Sequence, residues 1–312
     1  MDQWLFEIQD RTQIEITGRD RVKFLHSFCT NDIKKLQPGQ GCEAFVTNVN
    51  GKVLGHIFVF AERDSLWLES GPGSAATLLP HFDKYVITED VRFTDRSVEF
   101  ASLLLGGPRS TELLERLGLS VAALPLYGHH PHGSDTVPLR SVRRVDWFGS
   151  PTWLLSTPVA QCDEAQRTLA QAGVRQAEVG EVHALRIATG CPIYGIDITE
   201  DNLAQEVGRT ALAISFTKGC YLGQEPIARI DAMGHVNRQL CRLEFSSGPL
   251  PTRGTPILDK PAPDGKPIGT ITSSAWKRFE DTDKPLALAY LRSGFAKSGS
   301  QVLVDGQAAN VL

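Results

Sequence analysis

None of the six cysteines (Cys29, Cys42, Cys162, Cys191, Cys220 and Cys241) forms a C-x-x-C pair with another. That scatter argues against a disulfide framework and for free thiols in a reducing cytosol. It also leaves no cluster or zinc site evident in the sequence, so no metal is expected. No apolar run reaches the length needed to span a bilayer. The opening residues, Met1-Asp2-Gln3-Trp4-Leu5-Phe6-Glu7, lack the basic and apolar regions of a secretory signal. The expected compartment is therefore the cytoplasm, with no membrane partner. Positive charge is not in excess: 32 Lys and Arg face 36 Asp and Glu, for a net charge of −4. A direct nucleic-acid partner is not expected from that balance. There is no Walker loop, no G-x-G-x-x-G after a strand, and no G-x-S-x-G elbow.

The composition that is present, 41% hydrophobic and 22% charged, belongs to an ordinary soluble protein. At 312 residues the chain is long enough for two or three domains. Residues 13–17 alternate as a strand, and Asp20 can cap a helix over 21–36 with Val22, Leu25, Phe28 and Ile33 on one face. Residues 41–47 and 53–60 read as strands joined through Asn50-Gly51, followed by a strand at 65–69 and a helix over 74–85. A similar order recurs: a strand at 99–105, a helix over 110–117, strands at 142–147 and 151–156, and a helix over 163–172. Trp67-Leu68-Glu69-Ser70-Gly71-Pro72 is echoed by Trp153-Leu154-Leu155-Ser156-Thr157-Pro158, each ahead of a helix. The expected fold class is α+β: two similar halves, about 1–95 and 96–175, closed by 176–237 into a body of residues 1–237. From Arg238 onward short apolar runs alternate with Gly and Pro turns, which predicts a small all-β barrel or sandwich domain over 238–312. Between the halves, His129-His130-Pro131-His132 reads as a solvated loop, since no carboxylate or cysteine stands at ligand spacing.

The chain is organised around Lys218-Gly219-Cys220-Tyr221-Leu222-Gly223-Gln224-Glu225. Residues 212–216 read as a strand running into a turn, and Pro226 suits the first turn of a helix. A cysteine beside a lysine and ahead of a helix N-terminus is biased toward thiolate. Cys220, Lys218, Gln224 and Glu225 are thus the candidate catalytic set. A second set is Tyr194, Asp197 and Glu206. As a site they would suit a flat heterocycle, with a carboxylate accepting two N–H bonds and tyrosine stacking on the face; the alternative is a run of solvated turn residues. Arg229 and Arg238 either neutralise an anionic tail or are surface charges.

The octapeptide resembles the K-G-C-Y-x-G-Q-E signature of YgfZ-type folate-binding proteins, relatives of the glycine-cleavage T-protein, an aminomethyltransferase. Gly18 to Leu25, Thr30-Asn31-Asp32 and Pro38-Gly39 look like the opening of both kinds of chain. Residues 186–197 are similar to their R-x-E-x-G-x-P stretch, and Gly269 to Ser273 and Ala287 to Tyr290 resemble their barrel. The resemblance implies a folate-binding body followed by a β-barrel, with tetrahydrofolate as cofactor. Glu206 lies where the family places its pterin-contacting glutamate, with Tyr194, Asp197 and Arg238 as the further candidate cofactor-binding residues; the resemblance also implies a role in assembling or repairing iron–sulfur clusters in client enzymes, tRNA-modifying ones included. Two departures stand out. Where aminomethyltransferases carry an Asp pair, this chain has Gly55-His56, which counts against glycine cleavage. Ala188 stands where the family pattern has glutamate. The competing expectations are a folate-dependent aminomethyl- or methyltransferase and a non-catalytic docking scaffold.

Overall fold

A computed structural model describes residues 3–130, 136–279 and 282–312. The chain divides into two compact units: Met1–Val49, Leu54–Glu178 and Ala211–Gln224 form the first; Asn50–Val53, Val179–Thr210 and Glu225–Leu312 form the second.

The first unit holds two mostly antiparallel sheets, and Trp4–Ile8, from the expected first half, pairs with Phe100–Gly106 in the sheet otherwise made by the second. One runs Gly41–Thr47, Val53–Ala61, Leu66–Pro72, Arg11–Thr17, Arg92–Asp95. The other runs Arg175–Gln176, Trp4–Ile8, Phe100–Gly106, Trp153–Pro158, Ser141–Arg144, His129–His130. Each sheet buries an apolar face under helices. Ile14, Val59 and Leu68 share a core with Leu25 and Phe82 of the helices Arg21–Phe28 and Ala75–Asp83. Leu103, Leu105 and Leu155 do the same with Leu113, Ala165 and Leu169 of Ser110–Arg116 and Cys162–Gln171. The echoed strands, Leu66–Pro72 and Trp153–Pro158, each precede a helix, and Trp67 and Trp153 are both buried. Between the sheets, ring contacts such as Trp67 against Phe100 at 5.5 Å are joined by polar ones. Gln13 donates to the Phe100 carbonyl at 2.7 Å, and buried Glu69 pairs with Arg11 and Arg143. Burial pulls Arg143 down to about 9 from the ordinary guanidinium value.

The structure corrects three local expectations. The helix over 21–36 is cut at Phe28, with a short 3-10 turn at Ile33–Lys35. The Thr30 N–H is committed to the Phe45 carbonyl at 2.9 Å, so helical bonding cannot continue through it. Residues 212–216 are not a strand: a helical turn at Thr210–Ala213 runs into irregular backbone. There the Leu212 and Ala213 carbonyls accept from Asn31 and Thr30 side chains at 2.8 and 2.6 Å instead of from a neighbouring strand. The first two residues of the histidine run are not in a solvated loop either: His129–His130 pairs with Val142 and Arg143, and His129 is buried. His132 lies outside the described residues.

The second unit is a closed barrel of strands in the order Arg238–Phe245, Thr282–Arg292, Pro267–Phe279, Pro256–Leu258, Gln301–Val304, Gln307–Val311. Leu243, Phe245, Ile257, Ile271 and Val302 fill it. Gly269 is required where it stands: a Cβ there would lie 2.3 Å from the Tyr290 carbonyl oxygen. The helix Val179–Thr189 packs Ile187 against Ala275, Leu286 and Leu288 outside the barrel interior, so residues 179–210 group with the barrel. No helix among the described residues is long and apolar enough to cross a membrane.

Candidate functional site

In the first unit, Cys220 sits on irregular backbone between the turn at Thr210–Ala213 and the helix Gln224–Met233. Of the six cysteines it is the exposed one; Cys29, Cys162 and Cys241 are buried, and Cys42 and Cys191 half-buried. The turn is fixed from both sides. The Leu222 N–H donates to the Ser27 carbonyl at 2.9 Å, and the Thr47 hydroxyl donates to the Leu222 carbonyl at 2.9 Å. Gly223 has φ +83°, and a Cβ on it would lie 2.4 Å from the Asn48 carbonyl oxygen and the Thr47 hydroxyl. Only glycine fits this position, which accounts for the second glycine of the octapeptide.

Lys218 does a different job from the one its neighbour in the sequence suggested. Its side chain is turned inward and buried, with Nζ donating to the carbonyls of His26, Cys29 and Asn31 at 2.5, 2.6 and 2.7 Å. These are C-terminal carbonyls of the helix Arg21–Phe28 and the residues just beyond it, which lack helical donors. The ammonium thus ties the thiol-bearing turn to the end of that helix. Burial draws its pKa below the usual lysine value, while three acceptors hold its protons. Tyr221 is buried with its ring 4.8 Å from Lys218 Nζ, and burial pushes its phenol up to about 12. Gln224 opens the helix, and exposed Glu225 lies in its first turn, where a carboxylate complements the helix dipole.

The same unit contains a polar cluster that sequence reasoning touched only through His56. His56 Nε2 lies 2.7 Å from Glu43 Oε1, and the Tyr127 hydroxyl donates to Glu43 Oε2. His56 and Glu43 are both buried. Nothing in the spacing of residues 43, 56 and 127 announces the trio, because each comes from a separate stretch of chain.

The remaining expected residues belong to the second unit. Asp197 is saturated by its own chain. One oxygen accepts from the Thr272 and Ser273 hydroxyls, both at 2.6 Å; the other accepts from Arg186 at 2.7 Å and the Ile193 N–H at 3.0 Å. These bonds make the carboxylate a structural knot joining residues 186–197 to the barrel. Ala188, in place of a glutamate, packs with Ile187, Leu286 and Leu288 in an apolar cluster. Tyr194 is half-buried, with its phenol pushed up to about 12 by burial and by nearby Glu200.

Glu206 is different. It is buried, and Oε2 alone takes the Leu203 N–H at 3.1 Å, the Arg238 guanidinium at 3.1 Å and the Asn202 amide at 3.5 Å. Oε1 has no donor among the described residues. Arg238 also donates to the Asp201 carbonyl at 2.9 Å and lies 5.3 Å from the Tyr290 ring. It forms part of the wall of a cavity of about 480 Å³ in this unit, together with Asp197, Arg253, Tyr290 and Arg292. That volume lies in the usual range for a small-molecule site. Sequence reasoning missed Arg253, Tyr290 and Arg292; they are far apart in the chain and meet only when the barrel closes. No group of three or more His, Cys, Asp or Glu side chains among the described residues could hold a metal ion.

Residues 3–218 match the GCVT N-terminal domain family, and residues 238–311 match the glycine cleavage T-protein C-terminal barrel domain. A chloroplastic protein of Arabidopsis thaliana, named a transferase with no reaction specified, is 26% identical over 306 residues, covering 96% of this chain and 68% of that protein. An aminomethyltransferase of Herpetosiphon aurantiacus is also 26% identical, over 301 residues, covering 96% of this chain and 81% of its own length. The crystal structure of the glycine cleavage system aminomethyltransferase T from Bartonella henselae superposes with a TM-score of 0.85 at 20% identity, over 99% of this chain and 85% of that one. At that identity the likeness is one of fold.

Proposed function

The chain belongs to the glycine cleavage T-protein family, and on that premise we propose that it binds a reduced folate, with Cys220 serving the assembly or repair of iron–sulfur clusters in client enzymes, as in the YgfZ-type branch. The observation that carries the reading is the exposed Cys220, held on a turn that the buried Lys218 ammonium and the Gly223 close approach make rigid. A rigid, accessible thiol suits a group that must meet a second protein, whereas five less accessible cysteines do not.

For the folate, Glu206 Oε1 is the acceptor left open to a pterin N–H, with Arg238 donating to the other oxygen of the same carboxylate. Tyr194 would supply the stacking face. A reduced folate brings the capacity to carry a one-carbon unit; the residues named here bind and orient it. Asp197 lines the cavity, but both its oxygens already accept bonds within the chain, so it enters as the support of the 186–197 segment. Calorimetry with tetrahydrofolate tests the cofactor, with Glu206→Gln expected to weaken binding about tenfold or more; no heat at millimolar ligand rejects it. Activity of cluster-dependent enzymes in cells carrying Cys220→Ala tests the thiol, and unaltered activity removes its role.

A second reading, a folate-dependent aminomethyltransferase, is favoured by the names of relatives that align along most of the chain. The Glu43–His56 contact supports it locally, since a carboxylate against an imidazole can move a proton where the Asp pair is absent. Turnover of an aminomethylated carrier by the purified protein would select this reading over the first.

A further inference from the structure

Glu43, His56 and Tyr127 meet inside the first unit in a directional way. Glu43 and Phe45 stand on one face of the strand Gly41–Thr47, and His56 and Phe58 on one face of its neighbour Val53–Ala61. The His56 ring lies 5.1 Å from Phe45 and 4.9 Å from Phe58, and Phe58 lies 5.9 Å from Tyr127. Against this wall of rings the buried Glu43 takes the Tyr127 hydroxyl on one oxygen and stands 2.7 Å from His56 Nε2 with the other. A carboxylate accepts, so the ring hydrogen sits on Nε2 and the lone pair is left on Nδ1. Nδ1 has no hydrogen-bond partner among the described residues, and it is not one of the fully enclosed polar atoms. Tyr127 is held in place at a cost. Its φ is +62°, in the left-handed region that a bulky aromatic residue rarely takes. The Tyr127 N–H donates to the Arg144 carbonyl at 2.9 Å. A Cβ at Gly41 would lie 2.7 Å from the Tyr127 carbonyl oxygen, so glycine there admits Tyr127 to the strand that carries Glu43. Backbone strain of this kind clusters where side chains are aimed for chemistry.

We propose that His56 is a base acting on substrate through Nδ1, and that Glu43 and Tyr127 are its positioning residues. Tyr127 fixes the carboxylate, and the carboxylate fixes the tautomer and the ring plane. The inference rests on the second reading above, the folate-dependent transferase, and adds which nitrogen takes the proton and what holds it ready. The group it serves is a substrate amine. An N–H bond of that amine breaks with its electron pair staying on the amine nitrogen, and the Nδ1 lone pair takes the proton. The imidazolium so formed stands 2.7 Å from the Glu43 carboxylate among aromatic rings, where their attraction exceeds its value in water. With no acceptor of its own, Tyr127 contributes by keeping Glu43 from turning away.

The test has two arms, both on the full chain. In protein labelled with nitrogen-15 histidine, NMR at about pH 8.5, above the ordinary imidazole value, reads the tautomer of each ring, and His56→Gln identifies the signal. His56 is expected as the Nε2–H form, and as a mixture of both forms in Tyr127→Phe. A hydrogen on Nδ1 in the parent, or a tautomer unmoved by Tyr127→Phe, overturns the inference and leaves the transferase reading standing. The second arm follows turnover of an aminomethylated carrier with tetrahydrofolate. His56→Gln keeps an N–H for Glu43 but has no basic nitrogen, and is expected to lower kcat about 100-fold or more. Tyr127→Phe is expected to lower kcat about tenfold, with KM unchanged in both variants. An unchanged kcat, or a loss that appears in KM instead, overturns the inference alone. Absence of turnover by the parent overturns the second reading and the inference with it.

Discussion

Replacing Lys218 by Met separates two roles for the most unusual cation of the octapeptide. Methionine keeps most of the stem and removes the ammonium, so the carbonyls of His26, Cys29 and Asn31 lose three short donors at once. Bonds from a charged donor contribute about 1.5–3 kcal/mol each, and part of the sum is offset because burying the ammonium is itself costly, as its lowered pKa indicates. A net loss of about 3 kcal/mol is expected. For a unit of this size that corresponds to a fall in Tm of about 6–12 °C. Four of the five tryptophans, Trp4, Trp67, Trp147 and Trp153, lie in the first unit, so denaturant unfolding followed by tryptophan fluorescence reports on the affected part. In parallel, alkylation of Cys220 at pH 7 is expected to proceed at the parental rate, because the lysine serves backbone carbonyls and not the sulfur. A variant that unfolds within about 1 kcal/mol of the parent while its thiol reacts markedly more slowly would refute this. Lys218 would then be the electrostatic partner of Cys220 that the sequence order alone suggests.

Under native conditions a small thiol reagent is expected to modify one cysteine rapidly, with Cys220→Ser removing that phase; equal rates at Cys42 or Cys191 would contradict the observed exposures. His26 and His129 are buried and held neutral, with pKa values lowered to about 4, mainly by burial. The unfolded chain binds these protons first, so stability is lost as pH falls from about 6.5 toward 4, by about 2 kcal/mol per histidine at pH 5. Urea midpoints measured at pH 7 and 5 check this, and His129→Phe should flatten the difference. Asp197→Asn breaks the Arg186 pair and weakens four bonds, and is expected to cost about 3–5 kcal/mol in calorimetric unfolding. A change of under about 1 kcal/mol would show the knot to be dispensable.

Much of this architecture is legible in residue order. The α+β body, the paired Trp-led strands and an all-β C-terminal domain follow from apolar periodicity and from turn residues, all of which act over a few positions; its closure into a barrel is implied by the family resemblance. What escaped was decided by distant partners. Residues 21–36 look like one helix until Thr30 is drawn to Phe45 and Ala213, and 212–216 look like a strand until Asn31 and Thr30 take their carbonyls. The exposure of Cys220 and the pairing of Glu206 with Arg238 concern residues that could be singled out in advance, because they lie in recognisable stretches. The inward turn of Lys218 and the saturation of Asp197 could not, since each depends on acceptors or donors dozens of residues away. Arg253, Tyr290 and Arg292 have no shared motif; the register between Gly269–Leu291 and Thr270–Tyr290 helps set where two of them stand.

Neither compact unit is a single uninterrupted length of polypeptide. A fragment made by cutting ahead of Arg238 would therefore leave behind Ile187 and its helix, uncovering Ala275, Leu286 and Leu288 to water. It would also strand Asp197 and Glu206 away from Ser273 and Arg238, on which each depends. The barrel is accordingly not a module that could be gained, lost or grafted in one step. Its cavity wall and its stability were built by the same threading, and they would have to be inherited together.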